Sequence, residues 1–167
     1  MKLNEIKLVQ IDGMDYDIPE YVHSINDAVR AFETAFSMSN RAQELFCIIS
    51  LDTKNRIVGI EECMRGDDEG VTISMREIFK RVLLHNASSF ILAHNHPSGD
   101  PRPSVGDLRT TEAVRVAAQH LDVELVDHIV ISGGKYLSVV ELLRKVAKNP
   151  KKTHGELENS LVREISS

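Results

Sequence analysis

In the stretch ILAHNHPSGDPRPSVGDL, His94 and His96 stand two residues apart at the end of an apolar run. Side chains of an extended strand alternate between faces, so this spacing sends both imidazoles the same way. Ser104 and Asp107 are three apart, which places both on one face of a helix's first turn. Between the pairs, NHPSGDPRP carries three prolines and a glycine. That composition excludes a helix or a central strand and leaves a loop. Two imidazoles and one carboxylate fill three of the four tetrahedral positions around Zn²⁺ and leave one for water, the pattern of a catalytic zinc site. Ser104-Val-Gly-Asp107 also reads as a capping box. The two roles agree, because a helix N-terminus favours the ionised carboxylate that a metal needs.

These residues require a strand, a loop and a helix in that order, and the flanking sequence supplies them. SFILAH at 89–94 is a short buried strand, and SVGDLRTTEAVRVAAQHL is a helix opening at Ser104. Upstream, LFCIISL (45–51) and RIVGIEECM flank the turn residues DTKN and read as a β-hairpin. Ser24 caps a helix with Ile25, Val29, Phe32 and Phe36 on its apolar face. LNEIKLVQI at 3–11 is a strand, and RGDDEG at 65–70 is a loop. MREIFKRVLLHNA is a helix that buries Ile78, Val82 and Leu83. VELVDHIVI, GGK and YLSV form strand, turn and returning strand, followed by a helix at 140–148. KNPKKTHGE is a linker. Leu157, Leu161 and Ile165, at i, i+4 and i+8, define a terminal amphipathic helix that docks on the body or on a second copy. This order predicts an α/β protein, a three-layer α/β/α domain around a central mixed sheet.

The full pattern resembles a known family. His-Asn-His-Pro, the seven residues Pro97–Pro103, then Ser104, two residues and Asp107 match the JAMM signature of JAB/MPN+ metalloproteases. The text MREIF…NASSFILAHNHPSGDPRPS..D…T with VDHIVI..G.Y.S is similar to the bacterial RadC-type branch over about residues 42–140. The resemblance implies a JAB/MPN fold related to cytidine deaminases and a zinc hydrolase acting on a peptide or protein. Eukaryotic relatives cleave isopeptide bonds to ubiquitin, so a ubiquitin-like conjugate is one candidate substrate. His94, His96 and Asp107 would hold the zinc, and Ser104 would hydrogen-bond the oxyanion. On this reading residues 1–41 are a strand-and-helix extension, 42–140 the JAB/MPN+ domain and 141–167 a helical tail. Full-length relatives carry an N-terminal helix-hairpin-helix domain, for which the residues ahead of the match leave no room.

An attacking water must also lose a proton, which calls for a carboxylate base. The hairpin offers Glu61 and Glu62. Strand parity groups Glu62 with Val58, Ile60 and Met64, and Glu61 with Ile57, Gly59 and Cys63. Both faces are apolar, so parity does not choose between them. The resemblance selects Glu62, because the family's glutamate precedes a pair like Cys63-Met64. His128 and Ser98 are candidates for supporting contacts behind the ligands. Where RadC-type sequences have a Gly-Thr turn and His-Pro before Arg-Glu, this chain has Asp67, Asp68 and Glu69, which implies a different substrate preference.

The composition limits the alternatives. With 167 residues, 42% of them apolar, the chain suits one domain that needs no disulfides to hold its core. Cys47 and Cys63 are too few for an all-cysteine zinc site. A net charge of −5 and the lack of a basic stripe argue against nucleic-acid binding as the main activity. No apolar run spans a membrane and the N-terminus lacks a signal core, so a cytoplasmic protein is expected. An HNH nuclease is rejected, since that motif is not a tripeptide. A zinc deaminase needs His-x-Glu and Pro-Cys-x-x-Cys, which are absent. The rival from another class is a non-enzymatic DNA-repair-associated protein or scaffold on the same fold. Its local support is Lys148, Lys151, Lys152 and His154.

Overall fold

The structure, a computed structural model, describes residues 13, 15–66, 73–148 and 161–165. The strand expected at 3–11, most of the 65–70 loop, the part of the KNPKKTHGE linker after Lys148, and Leu157 lie outside them. The described chain runs α1 (Ile25–Phe36), β1 (Leu45–Leu51), β2 (Ile57–Arg65), α2 (Met75–Leu84) and β3 (Ser89–Asn95). It continues through α3 (Val105–His120), β4 (Glu124–Ser132), β5 (Lys135–Ser138), α4 (Val139–Lys148) and β6 (Arg163–Glu164). The six strands form one sheet in the order β2-β1-β3-β4-β5-β6. Only β3 and β4 are parallel, with α3 as their crossover; the other neighbours are antiparallel.

β1 shows why the sheet is covered on both faces. All seven of its residues are buried, as its unbroken apolar sequence requires of a central strand. Leu45, Cys47 and Ile49 pack with Ala28, Val29 and Phe32 of α1. Phe46 and Ile48 point the other way, to Ile78 and Val82 of α2 and Val114 and Ala118 of α3. The result is an α/β/α sandwich. α1 is fixed at its start by a capping box, with Ser24 accepting from the Asp27 N–H and Asp27 accepting from the Ser24 N–H.

Two sequence expectations are corrected. Leu83 is half exposed, while Ile78, Phe79 and Val82 form the buried stripe of α2. The aromatic ring of Phe79 packs edge-on against Phe90. The terminal segment is not helical where it is described. Arg163–Glu164 pairs antiparallel with Lys135–Tyr136, and the Ile165 N–H donates to the Gly134 carbonyl at 2.8 Å. Leu161 is buried with Leu137 and Leu142, and Ile165 packs against the α1-side core. An open strand edge beside β5 offers ready backbone partners, whereas an isolated helix of this length does not offset its nucleation cost in water. The segment thus docks on its own domain, as an edge strand.

Candidate metal centre

The site forms where β3 ends and α3 begins. His94 and His96 leave β3 on the α3 side of the sheet, the face of Phe90 and Leu92. The Nε2 atoms of the two imidazoles lie 3.0 Å apart. One Asp107 oxygen is 3.2 Å from His94 Nε2, and the other is 3.5 Å from His96 Nε2. Ligands about 2.0–2.1 Å from a zinc ion at tetrahedral angles stand about 3.3 Å apart. The Nε2–Nε2 and Nε2–Oδ1 separations, 3.0 and 3.2 Å, lie just under that edge length, a spacing that suits a divalent metal.

Local structure holds each donor. α3 opens with a capping box in which Ser104 Oγ accepts from the Asp107 N–H at 3.1 Å and Asp107 accepts from the Ser104 N–H at 2.6 Å. Burial alone would raise the Asp107 pKa, but the nearby His94 and His96 rings and the Ser104 cap outweigh this and hold it well below the carboxylate range. His96 Nδ1 donates to the Asp100 carbonyl at 2.9 Å, which keeps its proton away from the site and leaves Nε2 bare in the neutral ring. The loop is anchored in turn: Ser132 Oγ donates to the His96 carbonyl and the His96 N–H donates to Ile131. Burial opposes charge on His96, yet Asp107 and the Asp100 carbonyl raise its pKa above the ordinary histidine value, with Glu44 adding to the effect.

Glu44 was not among the residues singled out from the sequence. Its carboxylate and the His94 and His96 ring nitrogens form a group of donor atoms all within 4.8 Å of one another. It arrives through long-range pairing. β1 is antiparallel to β3 with Phe46 opposite His94. Continuing that register by two residues sets Glu44 beside His96.

A family model described as a RadC-like JAB domain matches residues 22–145. The chain belongs to that family. A UPF0758 protein of Cellvibrio japonicus is 35% identical over 125 residues, covering 75% of this chain and 54% of that protein. A UPF0758 protein of Herminiimonas arsenicoxydans is 45% identical over 104 residues, or 62% of this chain and 46% of its own length. The chain therefore spans about half the length of the curated relatives it matches.

In this RadC-like JAB domain the glutamate expected as base, Glu62, is held elsewhere. Both of its oxygens are engaged by Arg65, at 2.9 and 2.7 Å. A bulge in the β1–β2 ladder sets its direction. Phe46 pairs with Met64 and Cys47 with Glu62, so Cys63 is the extra residue and Glu62 turns to the α1 face, away from His94. Glu61 does face α2, where Arg81 Nε (2.9 Å) and His85 Nε2 (2.8 Å) hold it. Cys63 packs in the α2-side core with its thiol pushed up to about 12 by burial. Ser98 is exposed in the loop, its Oγ 3.5 Å from the Asp100 N–H, and touches neither imidazole ring by a hydrogen bond.

His128 lies directly behind the site. It is fully buried on β4, with Nε2 2.8 Å from His94 Nδ1 and Nδ1 2.6 Å from Thr111 Oγ1. Burial and the nearby His94 push its pKa well below the ordinary histidine value, so the ring is neutral. Phe46 closes this corner, stacked on His94 at 5.9 Å and tilted against His128 at 5.4 Å. Among the described residues, no helix is long and apolar enough to cross a membrane.

Proposed function

We propose that this domain is a zinc-dependent hydrolase of peptide or isopeptide bonds, with a peptide or protein as substrate. The observation that carries the reading is the convergence of His94, His96 and Asp107 at tetrahedral-edge distances, with Glu44 at the same mouth. His94, His96 and Asp107 would hold the metal, and the chemistry it supplies when bound is Lewis-acid activation of water and of the scissile carbonyl. Glu44, partly exposed and beside His96, takes the role the sequence assigned to Glu62: it accepts the proton of the attacking water and passes it to the leaving amine. Ser104 Oγ accepts the Asp107 N–H and keeps its own proton to donate to the developing oxyanion. Asp107, held ionised, keeps its negative charge against the two imidazoles.

The test is metal analysis of the purified protein beside His94→Ala, followed by a screen of peptide and isopeptide substrates. One zinc per chain, lost in His94→Ala, with cleavage by the wild type, is the expected result. A zinc-loaded protein that cleaves nothing across a broad library would favour the scaffold reading instead.

A further inference from the structure

We propose that Thr111 and His128 are positioning residues: they form a hydrogen-bond relay that locks His94 in its Nδ1–H tautomer, so that its Nε2 lone pair faces the site. The use of that lone pair rests on the metal-centre reading, whereas the relay itself stands on geometry. It begins at a group with no choice. The Asp107 main-chain carbonyl can only accept, and the Thr111 hydroxyl donates to it at 2.7 Å. A hydroxyl has one proton, so Thr111 Oγ1 must accept at its other contact, from His128 Nδ1 at 2.6 Å. His128 is fully buried, and its two ring nitrogens meet a hydroxyl and another imidazole. Among the described residues no carboxylate bonds to it, so it carries a single proton, already placed on Nδ1. Its Nε2 is then an acceptor and takes the His94 Nδ1–H at 2.8 Å.

The two histidines thus reach the same state by different devices. His96 is set by one loop carbonyl, that of Asp100. His94 has 1% of its side chain exposed and is set through two intermediaries that end on Asp107. The relay therefore ties the ring of one proposed ligand to the main chain of another. Thr111 suits this place because it is buried in α3 one turn after Asp107, where its hydroxyl reaches the i−4 carbonyl and still faces β4.

The experiment reads ring-nitrogen NMR shifts in the metal-free protein, together with Zn²⁺ and Co²⁺ titrations. Wild type should show His94 and His128 both as Nδ1–H tautomers. Thr111→Val removes the acceptor for His128 Nδ1–H; it should shift both tautomers and weaken metal affinity by about 10–100-fold. Thr111→Ser restores the hydroxyl and should restore both readouts. If the valine variant does not fold, the wild-type tautomers and the serine variant still decide. Wild-type His94 as the Nε2–H tautomer, or tautomers and metal affinity unchanged in a folded Thr111→Val, would overturn the relay. A protein that binds no metal yet shows the expected tautomers would refute the metal-centre reading and uphold the relay.

Discussion

The Leu45 N–H donates to the side-chain carbonyl of Asn95 at 2.7 Å, across 50 residues of chain. The Asn95 amide nitrogen donates back to the carbonyls of Gln43 (3.1 Å) and Arg41 (3.4 Å). The residue between the two histidines therefore holds the segment that carries Glu44. Asn95→Ala leaves the Leu45 N–H unpaired in the core, a loss of about 1–3 kcal/mol. We expect lower stability in urea unfolding and lower turnover, with metal content close to wild type. Loss of metal in a folded Asn95→Ala would contradict this division of roles.

Glu44→Gln and Glu62→Gln should separate cleanly. On any substrate the wild type cleaves, Glu44→Gln keeps its metal and loses most turnover, because an amide cannot accept the proton. Glu62→Gln removes only a partly exposed ion pair with Arg65, so stability should change by about 0–1 kcal/mol and turnover hardly at all. The reverse ranking in steady-state assays would return the base to Glu62.

Ser104→Ala tests the cap and the oxyanion contact together. The lost cap should lower stability by ~1 kcal/mol. The lost donor should slow turnover by about 10²–10³ with metal retained. Asp107→Ala should lose metal and activity at once. Metal analysis beside turnover distinguishes the two variants.

Asp127 gives a pH signature away from the metal centre. Burial pushes its pKa up to about 6, although the hydroxyl of Ser138 and the N–H of His128 donate to it. The folded state therefore binds this proton more tightly than the unfolded chain. The resulting stabilisation is complete below about pH 4 and is lost as pH rises through about 6, a change on the order of 2–3 kcal/mol. In Asp127→Asn this component disappears. Urea unfolding of both proteins at pH 4 and 7 measures it as a difference, and equal pH slopes would refute it.

Gly59 admits the ring of His85, whose Nδ1 lies 2.9 Å from the buried Ser50 hydroxyl. A methyl group at 59 would overlap that ring. Gly59→Ala should displace His85 and leave Ser50 unpaired, destabilising by about 1–3 kcal/mol. In a His85→Ala background the same substitution should be nearly neutral. Additive effects in the double-mutant cycle would dismiss the clash.

The parts of the fold and site set by local rules were legible in the sequence. Alternation in a strand aligned His94 with His96, and one helical turn aligned Ser104 with Asp107; both follow from spacing within a single element. Glu44 was missed because its place depends on β1 lying antiparallel to β3, with Phe46 opposite His94. The signal was its position just before LFCIISL, but reading it required the partner strand. Glu62 was selected on the resemblance, since parity left both glutamates open; its direction is set by the bulge at Cys63, which only the pairing of β1 with β2 reveals. The terminal Leu161–Ile165 spacing suited a helix, but a free strand edge from another part of the chain captured it. His128 was a candidate from the sequence, but its partner Thr111 gave no local pattern, since the two meet only when α3 packs over β4.

The separation of His94, His96 and Asp107 from Glu44 along the chain also sets an order of assembly. The first three belong to one β3–loop–α3 unit, whereas Glu44 joins only when β1 zips onto β3. Partial opening at that seam would release the base while the three donors stay together. On the proposed function, a mildly denatured molecule should lose turnover before it loses metal, which turnover and metal content followed along one urea titration would show.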